Sequence, residues 1–147
     1  MLIEVKTKVA RIIDSKTKKF TETYVMDEEF FANAEYRVTQ LLNTHVSIGI
    51  VESFEIQSLR ISPIKEIDDQ TLYNSIPSFI ASLRDIFHDD NGNEKQLRYK
   101  VLLWAENITN ANRRIQELSR QGYDMLVESI KEVNYIYLNT QEDNDEQ

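Results

Sequence analysis

The chain has no cysteine, and only two histidines, two prolines and three glycines in 147 residues. Without cysteine there are no disulfides and no thiolate sites. Structural zinc draws its ligands from cysteine, histidine and carboxylate, and His45 and His88 stand far apart in the chain; no metal or other cofactor is expected. Three glycines leave no phosphate-cradling glycine loop. No run of 18 apolar residues is present, so no membrane-spanning helix is expected. Met1 to Val5 lacks the basic-then-apolar pattern of a signal peptide. Together these absences lead to the expectation of a cytoplasmic protein without a membrane partner.

Basic charge is also scarce. The formal net charge is −8, and Glu142, Asp143, Asp145 and Glu146 supply half of it. The one local excess of cations lies in residues 1–26, where Lys6, Lys8, Arg11, Lys16, Lys18 and Lys19 face Glu4, Asp14 and Glu22.

What the chain does have is itself twice. Phe31, Ala34, Val38 and Leu41 recur 77 positions later as Ile108, Ala111, Ile115 and Leu118, and Arg37 recurs as Arg114. Val51-Glu52-Ser53 matches Val127-Glu128-Ser129 at a spacing of 76. Internal repetition predicts architecture before any residue is given a role.

Each copy reads as strand, strand, helix, strand. Ile3, Val5 and Val9 alternate with Glu4, Lys6 and Lys8, a half-buried strand. A polar turn over Asp14–Lys19 leads to a second strand, Phe20–Met26. The acids Asp27, Glu28 and Glu29 precede the stripe Phe31, Ala34, Val38, Leu41, Leu42, which predicts a helix ending near Asn43–His45. Ile48–Ile61 reads as a long strand whose apolar parity slips between Ile56 and Leu59, predicting a bulge. Pro63 and Pro77 bracket a linker over 62–77. In the second copy Ser78–His88 and Leu97–Trp104 read as strands across an Asn91-Gly92 hairpin turn. Thr109 is the candidate N-cap of the second helix and Gly122 its C-terminal stop. Met125–Leu138 reads as one long strand, and 139–147 as a disordered acidic tail. The expected fold is α+β: one domain over 1–138, made of duplicated ββαβ units (3–61 and 78–138), with two helices on an antiparallel sheet.

The segments Thr21–Asp27, Phe31 with Ala34–Val38, Tyr99-Lys100-Val101, Ala105-Glu106-Asn107 and Val127–Ile130 resemble a family. It is an uncharacterised domain-of-unknown-function family of gut Bacteroidetes and their crAss-like phages. The resemblance implies an origin in a phage or mobile element. It implies no catalytic residues.

Among candidate sites, Asp89–Glu94 fails the EF-hand spacing, because Gly92 at the sixth position puts Phe87 first and Arg98 twelfth. Glu52 and Glu128, at matching places in the two copies, are the one pair of carboxylates that duplication would set up for acid–base work. No nucleophile–base motif accompanies them, and no enzyme is expected. The leading expectation is a module acting through protein contacts and self-associating, with Val133, Tyr135 and Tyr137 on an interface, because the last strand is apolar on both sides. The alternative is a single-stranded nucleic-acid binder. There Lys6, Lys8, Arg11, Lys16, Lys18 and Lys19 would hold phosphates, and Phe20 and Tyr24 would stack on bases.

Overall fold

The computed structural model describes residues 1–70, 73–119 and 124–139. The order is β1 (Leu2–Ile13), β2 (Lys16–Asp27), α1 (Phe31–Ser47), β3 (Val51–Ile61), β4 (Ile64–Ile67), β5 (Ser78–His88), β6 (Glu94–Trp104), α2 (Ile108–Glu117), β7 (Asp124–Val133) and β8 (Tyr135–Leu138). The fold is α+β, built from two β-β-α-β-like units, each with a four-stranded sheet and one helix. The chain divides into unit 1, Met1–Ser62 with Asn134–Gln147, and unit 2, Pro63–Val133. No helix among the described residues is long and apolar enough to cross a membrane.

The sheets run β3-β1-β2-β8 and β4-β6-β5-β7. Read from the other end, the second is β7-β5-β6-β4, so the two have the same order. The single antiparallel sheet expected from sequence is instead two mixed sheets. In each, three antiparallel strands are joined by a short parallel fourth, β8 on β2 and β4 on β6. The fourth strands are exchanged. β4 follows β3 in the chain but completes sheet 2, and β8 follows β7 but completes sheet 1.

Local chemistry sets the hairpins. Asp14 and Ser15 both adopt positive φ (51° and 64°) between the paired Ile13 and Lys16, the two-residue turn whose twist suits adjoining strands. The turn is therefore two residues, not six, and Lys16, Lys18 and Lys19 are strand residues. In β5–β6, Gly92 takes φ 81°. The Asp89 carboxylate accepts the amides of Asn91 and Asn93, each at 2.9 Å. That spends the acid on the turn itself.

Each helix covers one face of its own sheet. In unit 1 Ala34, Val38 and Leu42 pack with Ile3, Val5, Val9, Tyr24 and Met26. In unit 2 Ala111 and Ile115 pack with Phe79, Ala81, Leu83, Val101 and Leu103. Burying such stripes is the main drive to both units.

Several boundaries differ from expectation. α1 continues two residues past His45, to Ser47. Asn107, not Thr109, caps α2, its side chain accepting the Asn110 amide at 2.9 Å. The expected linker contains β4. The expected last strand breaks at Asn134, where the chain passes from β7 to β8. Gly122 and residues 140–147 of the acidic tail lie outside the described residues.

The bulge expected between Ile56 and Leu59 is present. Lys6 pairs with Ser58 and Thr7 with Ile56, so Gln57 is extra. Unit 2 has its counterpart: Ser82 pairs with Ser129 and Leu83 with Val127, leaving Glu128 extra. By register, then, Glu128 corresponds to Gln57, and Glu52 has no part in the equivalence. The second helix has 10 residues against 17 in the first, and this shortening shifts the offset between β3 and β7 away from that of the preceding elements. The shared Val-Glu-Ser triplet is coincidental.

Candidate functional site

Alternation divides the predicted basic hairpin between two faces. Register puts Arg11, Lys16, Lys18, Phe20 and Tyr24 on the helix-covered side of sheet 1, and Lys6, Lys8 and Lys19 on the other. Tyr24 is 1% exposed within the core, so its ring offers no stacking surface. Arg11 is also committed. Its Nε and Nη2 donate to the two oxygens of Glu22 at 2.6 and 2.7 Å. The Tyr24 hydroxyl donates to the same carboxylate at 3.0 Å. Burial, then the Glu22 charge, pushes the Tyr24 phenol well above its usual range. His45 lies near this cluster. Burial, then the Arg11 charge, lowers its imidazole pKa, while Glu22 opposes that shift. Its Nδ1 is buried without a hydrogen-bond partner among the described residues. The residues of the nucleic-acid reading are thus divided: Lys16, Lys18 and Phe20 share one face of the hairpin, Lys6, Lys8 and Lys19 share the other, and Arg11 and Tyr24 are committed to Glu22.

The opposite side of sheet 1 holds a polar cleft of about 400 Å³ lined by Glu4, Lys6, Thr23, Ser58, Arg60 and Tyr135. The register explains how four strands supply it. Ser58, Lys6, Thr23 and Tyr135 form one row across β3, β1, β2 and β8. In the next row Arg60 faces Glu4. Glu4, 3% exposed, is a carboxylate that accepts four hydrogen bonds. Arg60 Nε and Nη2 reach Oε1 at 3.1 and 2.9 Å, the Tyr135 hydroxyl reaches the same oxygen at 3.2 Å, and Ser62 Oγ reaches Oε2 at 2.6 Å. A buried acid is tolerated when paired and hydrogen-bonded in this way. Lys6 is exposed and makes no ion pair among the described residues.

Unit 2 repeats the motif with other residues. Ser129, Ser82, Lys100 and Ile64 form the corresponding row across β7, β5, β6 and β4. Ser82 and Lys100 line a cleft of about 310 Å³ with Arg98, Tyr99 and Glu128, where Arg98 Nε lies 3.2 Å from Glu128. Each row has one lysine, paired with Ser58 and Thr23 in unit 1 and with Ser82 and Ile64 in unit 2, but the lysine is on β1 in one sheet and on β6 in the other. Glu128 is thereby an ion-pair partner within unit 2.

Tyr135 and Tyr137 are half-buried on β8, and Val133 lies on β7 in the other unit; the break at Asn134 removes the single interface strand expected of them. A different apolar surface emerges at the end of unit 1. Ile12, Ile13, Val46, Ile48 and Ile50 are all more than a third exposed. Backbone bonds gather them: Ile12 N–H donates to Ile50 O, Gly49 N–H to Val46 O and Ile50 N–H to His45 O, each at 3.1 Å. No periodic signal marks this cluster, since it joins the tip of a hairpin to a helix–strand turn.

The recurring arginines also acquire a role missed in sequence. Arg37 pairs with Glu28 at 3.0 Å and donates to the carbonyl of Leu138, the last residue of β8, at 3.4 Å. Arg114 Nε and Nη2 donate to Asp68, just past β4, at 2.7 and 3.0 Å.

Among the described residues no group of histidine, cysteine and carboxylate side chains could hold a metal ion. No curated protein and no solved structure matches the chain. A family model does match, over residues 2–140. The chain belongs to the family described as a domain of unknown function, DUF4494.

Proposed function

We propose that the protein is a non-enzymatic assembly module that self-associates through the apolar end of unit 1. The observation that carries this reading is the cluster of Ile12, Ile13, Val46, Ile48 and Ile50 at that end. Exposed aliphatic side chains gathered at one end of a sheet favour a protein contact over water. The neighbouring hairpin tip carries Lys16 and Lys18, both exposed. A basic rim selects an acidic partner, and with a net charge of −8 a second copy of the chain has acidic surface to offer. A basic apolar end on an acidic surface is a head-to-tail contact, which builds rings or filaments rather than twofold dimers. The bulges at Gln57 and Glu128 lie on the edge strands β3 and β7, and bulged edges disfavour strand-to-strand association. An origin in a phage or mobile element is part of this reading, and it rests on the resemblance to a family of gut Bacteroidetes and their phages. Sedimentation velocity across a concentration series tests it. The wild type should form a defined oligomer that weakens with salt, and Ile48→Glu with Ile50→Glu should leave a monomer. A wild-type monomer at every accessible concentration would overturn the reading.

Single-stranded nucleic-acid binding has less behind it, with Arg11 spent on Glu22 and Tyr24 buried. What favours it is that Lys6, Lys8 and Lys19 share one face. A labelled oligonucleotide whose retention falls steeply with salt, and is lost in Lys8→Glu with Lys19→Glu, would support it.

A further inference from the structure

The duplicated row of lysine and hydroxyls has a chemical consequence of its own. In unit 1 Lys6 is paired with Ser58 and Thr23 on the neighbouring strands, and all three line the cleft. Arg60 stands one row away, and its Nη1 makes no hydrogen bond among the described residues. Lys6 and Arg60 against Glu4 leave the cleft with one positive charge in excess. In unit 2 Arg84 and Arg98 both lie against Glu128, at 3.8 and 3.2 Å, so with Lys100 the positive excess is larger still, and Ser82 is directly opposite Lys100. A structural role for the lysines would need no hydroxyl neighbour and no cleft. Yet the pairing of lysine with hydroxyl survives an exchange of strands, Lys6–Thr23 in one unit and Ser82–Lys100 in the other.

We propose that each sheet carries one oxyanion site, Lys6 with Thr23, Ser58 and Arg60 in unit 1 and Lys100 with Ser82 and Arg98 in unit 2, and that the ligand is the phosphate group of a small phosphomonoester. An ammonium, hydroxyls and a guanidinium together offer more donors than the two oxygens of a carboxylate use, and they match a tetrahedral dianion. The clefts have the volume of small-ligand sites. Glu4 and Glu128 hold the arginines in place and keep the clefts from acting as general basic patches. The inference is independent of self-association, which concerns the other end of unit 1.

The test is calorimetric and NMR titration of the full chain with inorganic phosphate and glucose 6-phosphate, with acetate as the carboxylate comparison. Two saturable phosphate sites are expected, with amide shifts centred on residues 6, 23 and 58 and on 82 and 100. Lys6→Gln should weaken the first at least tenfold and leave the second, Lys100→Gln should do the reverse, and the double variant should bind at neither. Both lysines are exposed, so the folded spectrum of each variant should otherwise persist. No saturable phosphate binding, equal binding by the double variant, or equal affinity for acetate would overturn the proposal.

Discussion

Arg37 and Arg114, 77 positions apart on equivalent helices, both close on the end of an exchanged fourth strand. Arg37 reaches the last carbonyl of β8, and Arg114 grips Asp68 immediately after β4. Short parallel strands of four residues have few ladder bonds of their own. A side-chain clamp at the free end gives them a fixed terminus.

The clamp in unit 2 can be measured directly. The Asp68 carboxylate is 4% exposed, and removing its partner strands a buried charge. Arg114→Ala should destabilise the protein by about 3 kcal/mol in urea unfolding and speed amide exchange over Ile64–Asp68. Arg114→Lys should recover little, because a lysine cannot reproduce the two-point grip. Slow exchange across β4 in Arg114→Ala would show that the strand holds without it.

Arg11 and Glu22 make the corresponding argument for unit 1. The Glu22 side chain is 6% exposed and accepts from both Arg11 and Tyr24. Arg11→Met should cost about 3 kcal/mol, while Arg11→Met with Glu22→Gln should cost clearly less, because a neutral amide oxygen still accepts from Tyr24. Equal losses in the single and double variants, read from chemical denaturation, would rule out a stranded carboxylate as the cause.

Capping of α2 separates two neighbouring residues. Asn107→Ala removes the side chain that accepts the Asn110 amide and should cost about 1 kcal/mol. Thr109→Ala should be near neutral by comparison, since Thr109 lies inside the helix. Thermal melts of the pair decide which residue caps.

His45 predicts a pH dependence. Its folded pKa is below the unfolded value of about 6.5. The folded state therefore prefers the neutral imidazole. Its stability contribution is complete above the unfolded pKa and is lost as pH falls through the folded one. Arg11 and Glu22 face it with opposing effects. Melting temperature should fall on acidification below about pH 6.5, and His45→Gln should flatten that slope. An unchanged slope would assign the acid sensitivity to the carboxylates.

The sequence by itself determined the duplication, the two amphipathic helices, the hairpins and the bulge after Ile56. Each of these is written in short-range spacing: Phe31 to Leu42 at helical period, Ile3 to Val9 at period two, Asn91-Gly92 at a turn, and a parity slip within one strand. It also carried Lys6, the one hairpin cation that the candidate site uses. Only the tertiary structure decided what these elements meet. β4 is four residues beside a proline, too short for its own periodicity, and nothing local in Ile64–Ile67 says that it lies parallel to β6. The same holds for β8, which looks continuous with β7 until pairing breaks the chain at Asn134. Glu4 reads as an ordinary outward strand residue until Arg60, Ser62 and Tyr135 arrive from distant positions. Strand pairing and buried ion pairs join residues far apart in the chain, and a local pattern holds no record of which partner closes the loop.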